Sequence, residues 1–211
     1  MTRSPLLLLL GSLAPYARSH GYVLLAAQNQ FRKSTNQGFF NLIVAAGPTF
    51  PALAELHLGI RIDLVEQLVY QFTIGLAGYG PHSTTLITSG GRIVGEPYQR
   101  YSLEQATDVS AVTQRMKDFL RTEGFPFLEE YGHVKPLDEL YNRRPDEKSP
   151  YLTNALNRIL RGIILAKLAQ RNSWSDLVSD YRSQLIQRGT PESLVERYDR
   201  LVDYLRTFSV N

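Results

Sequence analysis

Between Ala54 and Ile62 apolar and polar side chains alternate without a break. Ala54, Leu56, Leu58, Ile60 and Ile62 share one parity, and Glu55, His57, Gly59 and Arg61 share the other. Successive side chains of a strand point to opposite faces, so an extended segment gathers the five aliphatics on one side, whereas a helix would scatter them around its circumference. The pattern belongs to an antiparallel sheet with one covered and one wet face. The cover must come from the later, helical part of the chain, because an open row of five aliphatics would be an adhesive patch.

The flanking sequence fits that frame. Ser4 followed by Pro5 is a helix start, Gly21 is a matching stop, and Pro15 is expected to kink or split the helix between them. Tyr22 to Lys33 and Phe39 to Ala46 read as two strands joined by the turn Asn36-Gln37-Gly38. After the strand at 54–62, Asp63 is placed to cap a short helix to Phe72, residues 75–80 form a glycine-rich loop, and Ser83 to Thr88 is a further strand candidate. Gly90-Gly91 reads as a turn, and Gly95 to Thr107 as a loop carrying Tyr98 and Tyr101. From Asp108 the period is helical: a helix stopped by Gly124, short helical turns opened by Pro126 and Pro136, and three longer helices after Tyr151. The expected fold is α+β, with an N-terminal helix, an antiparallel meander of four or five strands, helices packed on one face and a C-terminal helical extension. Arg143 to Pro150 is polar and proline-bounded, which divides the chain into a sheet domain at 1–145 and a three-helix extension at 151–211.

Several chemistries are excluded by residue type and spacing. There is no cysteine, so disulfides, thiolate metal sites and cysteine nucleophiles are absent. His20, His57, His82 and His133 never stand at zinc-ligand spacing, and no phosphate loop, dinucleotide fingerprint or nucleophile elbow occurs, so neither metal nor cofactor is expected. The Gly75 to Gly80 stretch follows a helix and precedes a strand, the reverse of what phosphate binding at a helix N-terminus requires. Residues 1–20 carry a basic start and a leucine run, which is compatible with a secretory leader and also with the helix just described. The helical reading is preferred because Tyr22 continues directly from it, and a cytoplasmic location follows. The leucine run is too short to span a membrane.

Three groups of side chains are candidates for function. Glu55, His57 and Arg61 share the polar face of the strand, where an imidazole oriented by a carboxylate could do acid–base chemistry and where a polar sheet exterior is the plainer alternative. Tyr98 and Tyr101 offer amphipathic contact area suited to a partner surface. Arg158 and Arg161, one turn apart among Arg143, Arg144, Lys167 and Arg171, could meet phosphates or form an ordinary solvated face.

Two stretches carry a family resemblance. His20-Gly21-Tyr22 with Phe31-Arg32, and Phe125-Pro126-Phe127-Leu128 with Leu137 to Tyr141, resemble the opening and closing segments of a family of bacterial α+β domains of unknown function, some of them immunity-protein-like. The resemblance spans roughly residues 10–142, and its motifs are packing features. It implies an α+β unit and, for the immunity-like members, a protein partner. The leading expectation is therefore a non-enzymatic protein-binding chain with no catalytic residue. The alternatives are a small hydrolase or transferase using His57 and Glu55 in a sheet-lined cleft, and a nucleic-acid-binding module using the basic 143–171 region.

Overall fold

A computed structural model describes residues 4–73 and 80–209 and shows an α+β chain. The strands are β1 (Val23–Leu25), β2 (Gln30–Thr35), β3 (Gly38–Ala46), β4 (Ala52–Ile62), β5 (Leu86–Ser89) and β6 (Tyr101–Leu103). The helices are α1 (Pro5–Ser19), α2 (Asp63–Phe72), α3 (Gly90–Ile93), α4 (Val109–Phe119), α5 (Phe125–Tyr131), α6 (Val134–Asn142), α7 (Ala155–Leu168), α8 (Trp174–Gln187) and α9 (Glu192–Thr207). The chain forms two compact units. A sheet unit takes in Met1–Ile60 and Leu86–Glu130, and a helical unit takes in Arg61–Thr85 and Tyr131–Asn211. The Arg143 to Pro150 segment lies inside the helical unit. Residues 75–79 of the glycine-rich loop are outside the described residues.

In the sheet unit, the Ser4 hydroxyl accepts the Leu7 N–H at 3.3 Å with Pro5 in the first turn, so α1 starts where the sequence predicts. Pro15 does not split it. A proline inside a helix costs about 3 kcal/mol. Here Leu9, Leu10, Leu13 and Ala17 are all buried along one stripe, and each leucine returns roughly 1.5–3 kcal/mol. The helix closes at Gly21, whose φ of 84° only glycine adopts freely.

The sheet runs β1-β2-β3-β4-β5, and β6 also pairs with β4. The strand expected over Tyr22 to Lys33 is two strands, folded back through a 3-10 turn at Ala26–Gln28 with Asn29 left-handed at φ 53°. The reversal sets Leu25 opposite Gln30 and Val23 opposite Arg32, a local hairpin that alternation alone does not announce. The row Ala54, Leu56, Leu58, Ile60 and Ile62 is buried, with exposures between 0% and 3%. Within the sheet unit α1 packs against β3 and α4, and α4 packs against β6, so the cover over that unit comes from both ends of its sequence.

Gly124 does not stop the helix that begins at Val109. A π-turn at Leu120–Gly124 carries the helix into α5, with the Phe125 N–H reaching the Leu120 carbonyl five residues back. Pro126 has no N–H for the carbonyl of Thr122 and its ring would crowd it, and widening the helix by one residue relieves both. Gly124 is needed at this widened point, where a Cβ would stand 3.0 Å from Leu120 Cδ2 and 3.3 Å from Leu58 Cδ1. The added residue turns Phe125 toward α1, where its ring stacks 4.7 Å from His20 and 5.7 Å from Tyr22. The segments around His20-Gly21-Tyr22 and Phe125 thus meet in space.

The helical unit is built around α7, which packs against α2, α6, α8 and α9. Asp63, expected to cap α2, is its first residue and makes no cap; its carboxylate takes the Arg61 Nε instead. The interior carries a polar network. The Tyr181 hydroxyl donates to Asn142 Oδ1 at 2.6 Å, and Asn142 Nδ2 donates to Asp138 Oδ1 at 2.7 Å and to the Gly162 carbonyl at 2.8 Å. Gly162 makes room for this crossing, since a Cβ would lie 2.6 Å from Asn142 Oδ1.

Candidate binding surface on the sheet

Residues directly opposite in an antiparallel pair point to the same face. His57 faces Ser89, Gly59 faces Ile87 and Leu53 faces Ser102, so Leu53, Glu55, His57, Ile87, Ser89 and Ser102 share the outer face of the sheet unit. Leu53 is 53% exposed and Ile87 50% exposed on that face.

A line of polar side chains crosses the same face. His57 Nε2 stands 3.4 Å from Glu55 Oε2, and the other carboxylate oxygen accepts from Arg100 Nε at 2.7 Å. The Arg100 guanidinium lies over the Tyr98 ring at 4.3 Å from its centre. Arg100 reaches Glu55 because the 98–99 backbone runs tight against the start of α3. A Cβ on Gly91 would stand 2.6 Å from the Gln99 nitrogen and 2.7 Å from the Tyr98 carbonyl carbon. The sequence signal for this arrangement was the Gly90-Gly91 pair, readable only as a turn until the close approach was visible.

The predicted site residues divide. Glu55, His57 and Tyr98 come together, with Arg100, Leu53 and Ile87 as additions that sequence reasoning missed. Arg61 does not join them. It is 6% exposed, and its Nη1 donates to the carbonyls of Gly80 and Ser83 and to the Ser83 hydroxyl at 2.7–2.8 Å, which pins the 3-10 turn at Gly80–His82. Tyr101, expected in a loop, lies on β6 facing inward at 1% exposure.

Arg158 and Arg161 are turned inward within the helical unit. Arg158 is 9% exposed and donates to the carbonyls of Tyr141, Arg144 and Glu147, closing the end of α6 and the segment after it. Arg161 makes a two-pronged pair with Glu66 at 2.9 and 2.8 Å. Arg171 pairs with Asp138 and Glu139 at 2.8 and 2.6 Å, and burial pushes the Asp138 carboxyl above its ordinary range despite that partner. These guanidiniums hold helix ends and carboxylates of their own chain.

Glu55 is shared between Arg100 and His57, which weakens it as an orienter of the imidazole, and no hydroxyl among the described residues is hydrogen-bonded to His57. No group of His, Asp and Glu among the described residues could hold a metal ion, and no helix among them is long and apolar enough to cross a membrane. No family model, no curated protein and no solved structure matches the chain.

Proposed function

We propose that the chain is a non-enzymatic binding protein that recognises another protein through the outer face of its sheet unit. The observation that carries this reading is the combination on one face of Leu53 and Ile87, each at least half exposed, with the pre-formed line Tyr98–Arg100–Glu55–His57. Aromatic and arginine side chains beside apolar area are the residue types that dominate binding energy at protein interfaces. Arg100 is already held by Glu55 and Tyr98, so ordering it on binding costs little. The resemblance over roughly residues 10–142 is to bacterial domains of unknown function, and the immunity-like members among them supply the class of partner in this proposal: a toxin-like protein encoded beside this one.

The test uses the intact chain, with a photo-crosslinking residue placed at Ile87 or, as a control on the helical unit, at the exposed Ile186. Crosslinking to the neighbouring gene product from Ile87 alone, abolished by Leu53→Asp and weakened by Arg100→Ala, is the expected result. Equal crosslinking from both positions, or none from Ile87, would refute the assignment.

A further inference from the structure

The turn from α7 to α8 in the helical unit holds an open depression of about 290 Å³, lined by Ala166, Lys167, Gln170, Arg171, Trp174 and Phe208. Its size is at the lower end of ligand sites, which run from roughly 300 to 1,000 Å³. Two aromatic rings and a methyl group supply apolar wall, the polar side chains are donors, and no carboxylate lines it. The geometry points to a binding site for a small carboxylate attached to a planar apolar group.

The end of α7 shows how the donors become available. Ala169 N–H bonds the Leu165 carbonyl, Gln170 N–H the Lys167 carbonyl and Arg171 N–H the Ala166 carbonyl, so the backbone itself satisfies the helix end. Lys167 and Arg171 are therefore not needed as caps. Arg171 spends Nε on Asp138 and Nη2 on Glu139, which leaves Nη1 without an acceptor among the described residues. Lys167 holds its ammonium 5.3 Å from the centre of the Trp174 ring and pairs with no carboxylate among the described residues. The indole is fixed in turn by Nε1 donating to the Ile163 carbonyl at 3.1 Å.

Gln170 supplies the second, independent observation. The residue that closes a helix in this way takes a left-handed conformation that favours glycine. After α1 it is Gly21 at φ 84° and after α8 it is Gly189 at φ 65°, but after α7 it is Gln170 at φ 57°. The chain accepts a strained backbone at this turn, where the side chain lines the depression. Strain retained where glycine would relieve it marks a position held for its side chain. The Gln170 amide, the Lys167 ammonium and Arg171 Nη1 together can surround a carboxylate while the ligand's ring lies between Trp174 and Phe208.

Trp174 is the only tryptophan of the chain, so its fluorescence reports this site alone. The full-length protein is titrated with phenylacetate and with phenylacetamide, which has the same shape without the charge. Saturable quenching by phenylacetate and none by the amide is expected, with affinity reduced about tenfold in Lys167→Ala, as befits a lost hydrogen bond to a charged group. Gln170→Gly is expected to raise the melting temperature while weakening binding severalfold, opposite signs that a purely structural glutamine would not give. N-acetyl-Gly-Phe with a free carboxylate, against phenylacetate, separates a peptide C-terminus from a free small acid as the source. Absence of saturation with both acids, an equal response to the amide, or unchanged affinity in both variants overturns the assignment.

Discussion

The sheet unit and the helical unit solve the same packing problem with different interiors. In the sheet unit the buried groups carry no charge: Leu56, Leu58 and Ile60 on β4, Leu9 and Leu13 on α1, and Met116 and Leu120 are all at most 1% exposed, with the charged line displayed outward. In the helical unit charges and hydroxyls run through the middle, with Glu66, Asp138, Asn142 and Arg158 all below 10% exposure. A strand hands its polar side chains to the far face automatically, because its period is two residues. A helix such as α7, with neighbours on several sides, cannot, and its polar groups must find partners inside. The difference implies that the sheet unit tolerates change at its charges and the helical unit does not.

The sharpest way to break that comparison is Glu66→Ala, which takes the carboxylate away from the Arg161 guanidinium, only 11% exposed. A loss of about 3–5 kcal/mol is expected in urea unfolding. A double replacement, Glu66→Leu with Arg161→Met, is expected to recover most of it. A loss below 1 kcal/mol for the single variant would mean that the buried pair is not what orders α2 against α7.

In the sheet unit the matching change is apolar. Leu58→Ala empties a site that is 1% exposed and is expected to cost about 2–5 kcal/mol. Faster amide exchange should be confined first to β4 and β5, a pattern that exchange mapping by mass spectrometry resolves.

Alkaline pH distinguishes the units without mutation. Burial pushes the Tyr181 hydroxyl up to about 12, and raises Tyr141 and Tyr198 further. Among the sheet unit's tyrosines, burial lifts Tyr22 as strongly, and Tyr16 and Tyr101 are raised as well. A phenol whose pKa is higher in the folded than in the unfolded chain contributes stability that is complete below the unfolded value near 10. That stability is lost as pH rises toward the folded value, at about 1.4 kcal/mol for each unit and each group. With three such tyrosines against chiefly one, amide protection in the helical unit should fall before that of the sheet unit between pH 10 and about 12. The reverse order would show that the hydroxyl network is not limiting.

The smallest effect belongs to the outer-face line. Arg100 is 47% exposed in its pair with Glu55, and Arg100→Ala is expected to change stability by less than about 1 kcal/mol. A larger loss would mean that the line holds the 98–100 segment in place, which would weaken its reading as a surface kept for a partner.

The strand at 54–62, the helix start at Ser4-Pro5 and the helical second half were legible because each is a local pattern: a period, a cap, a stop. The outer-face position of Glu55 and His57 was legible for the same reason, since parity alone assigns it. The segments at His20 and Phe125 were each legible but could not be joined, because their meeting depends on a π-turn that Pro126 provokes and Gly124 permits.

The amino-acid sequence by itself determined the α+β class, the covered row of aliphatics and the absence of thiol chemistry, because periodicity and residue type act within a few positions along the chain. Only the tertiary structure decided which charges face water. Arg61, Arg158 and Arg161 carry the same charge as Arg100, but backbone carbonyls and a carboxylate brought from 11 to 95 positions away take their donors inside. Desolvating a guanidinium is tolerable only when such partners arrive together, and their arrival is a property of the fold and not of any local run of residues.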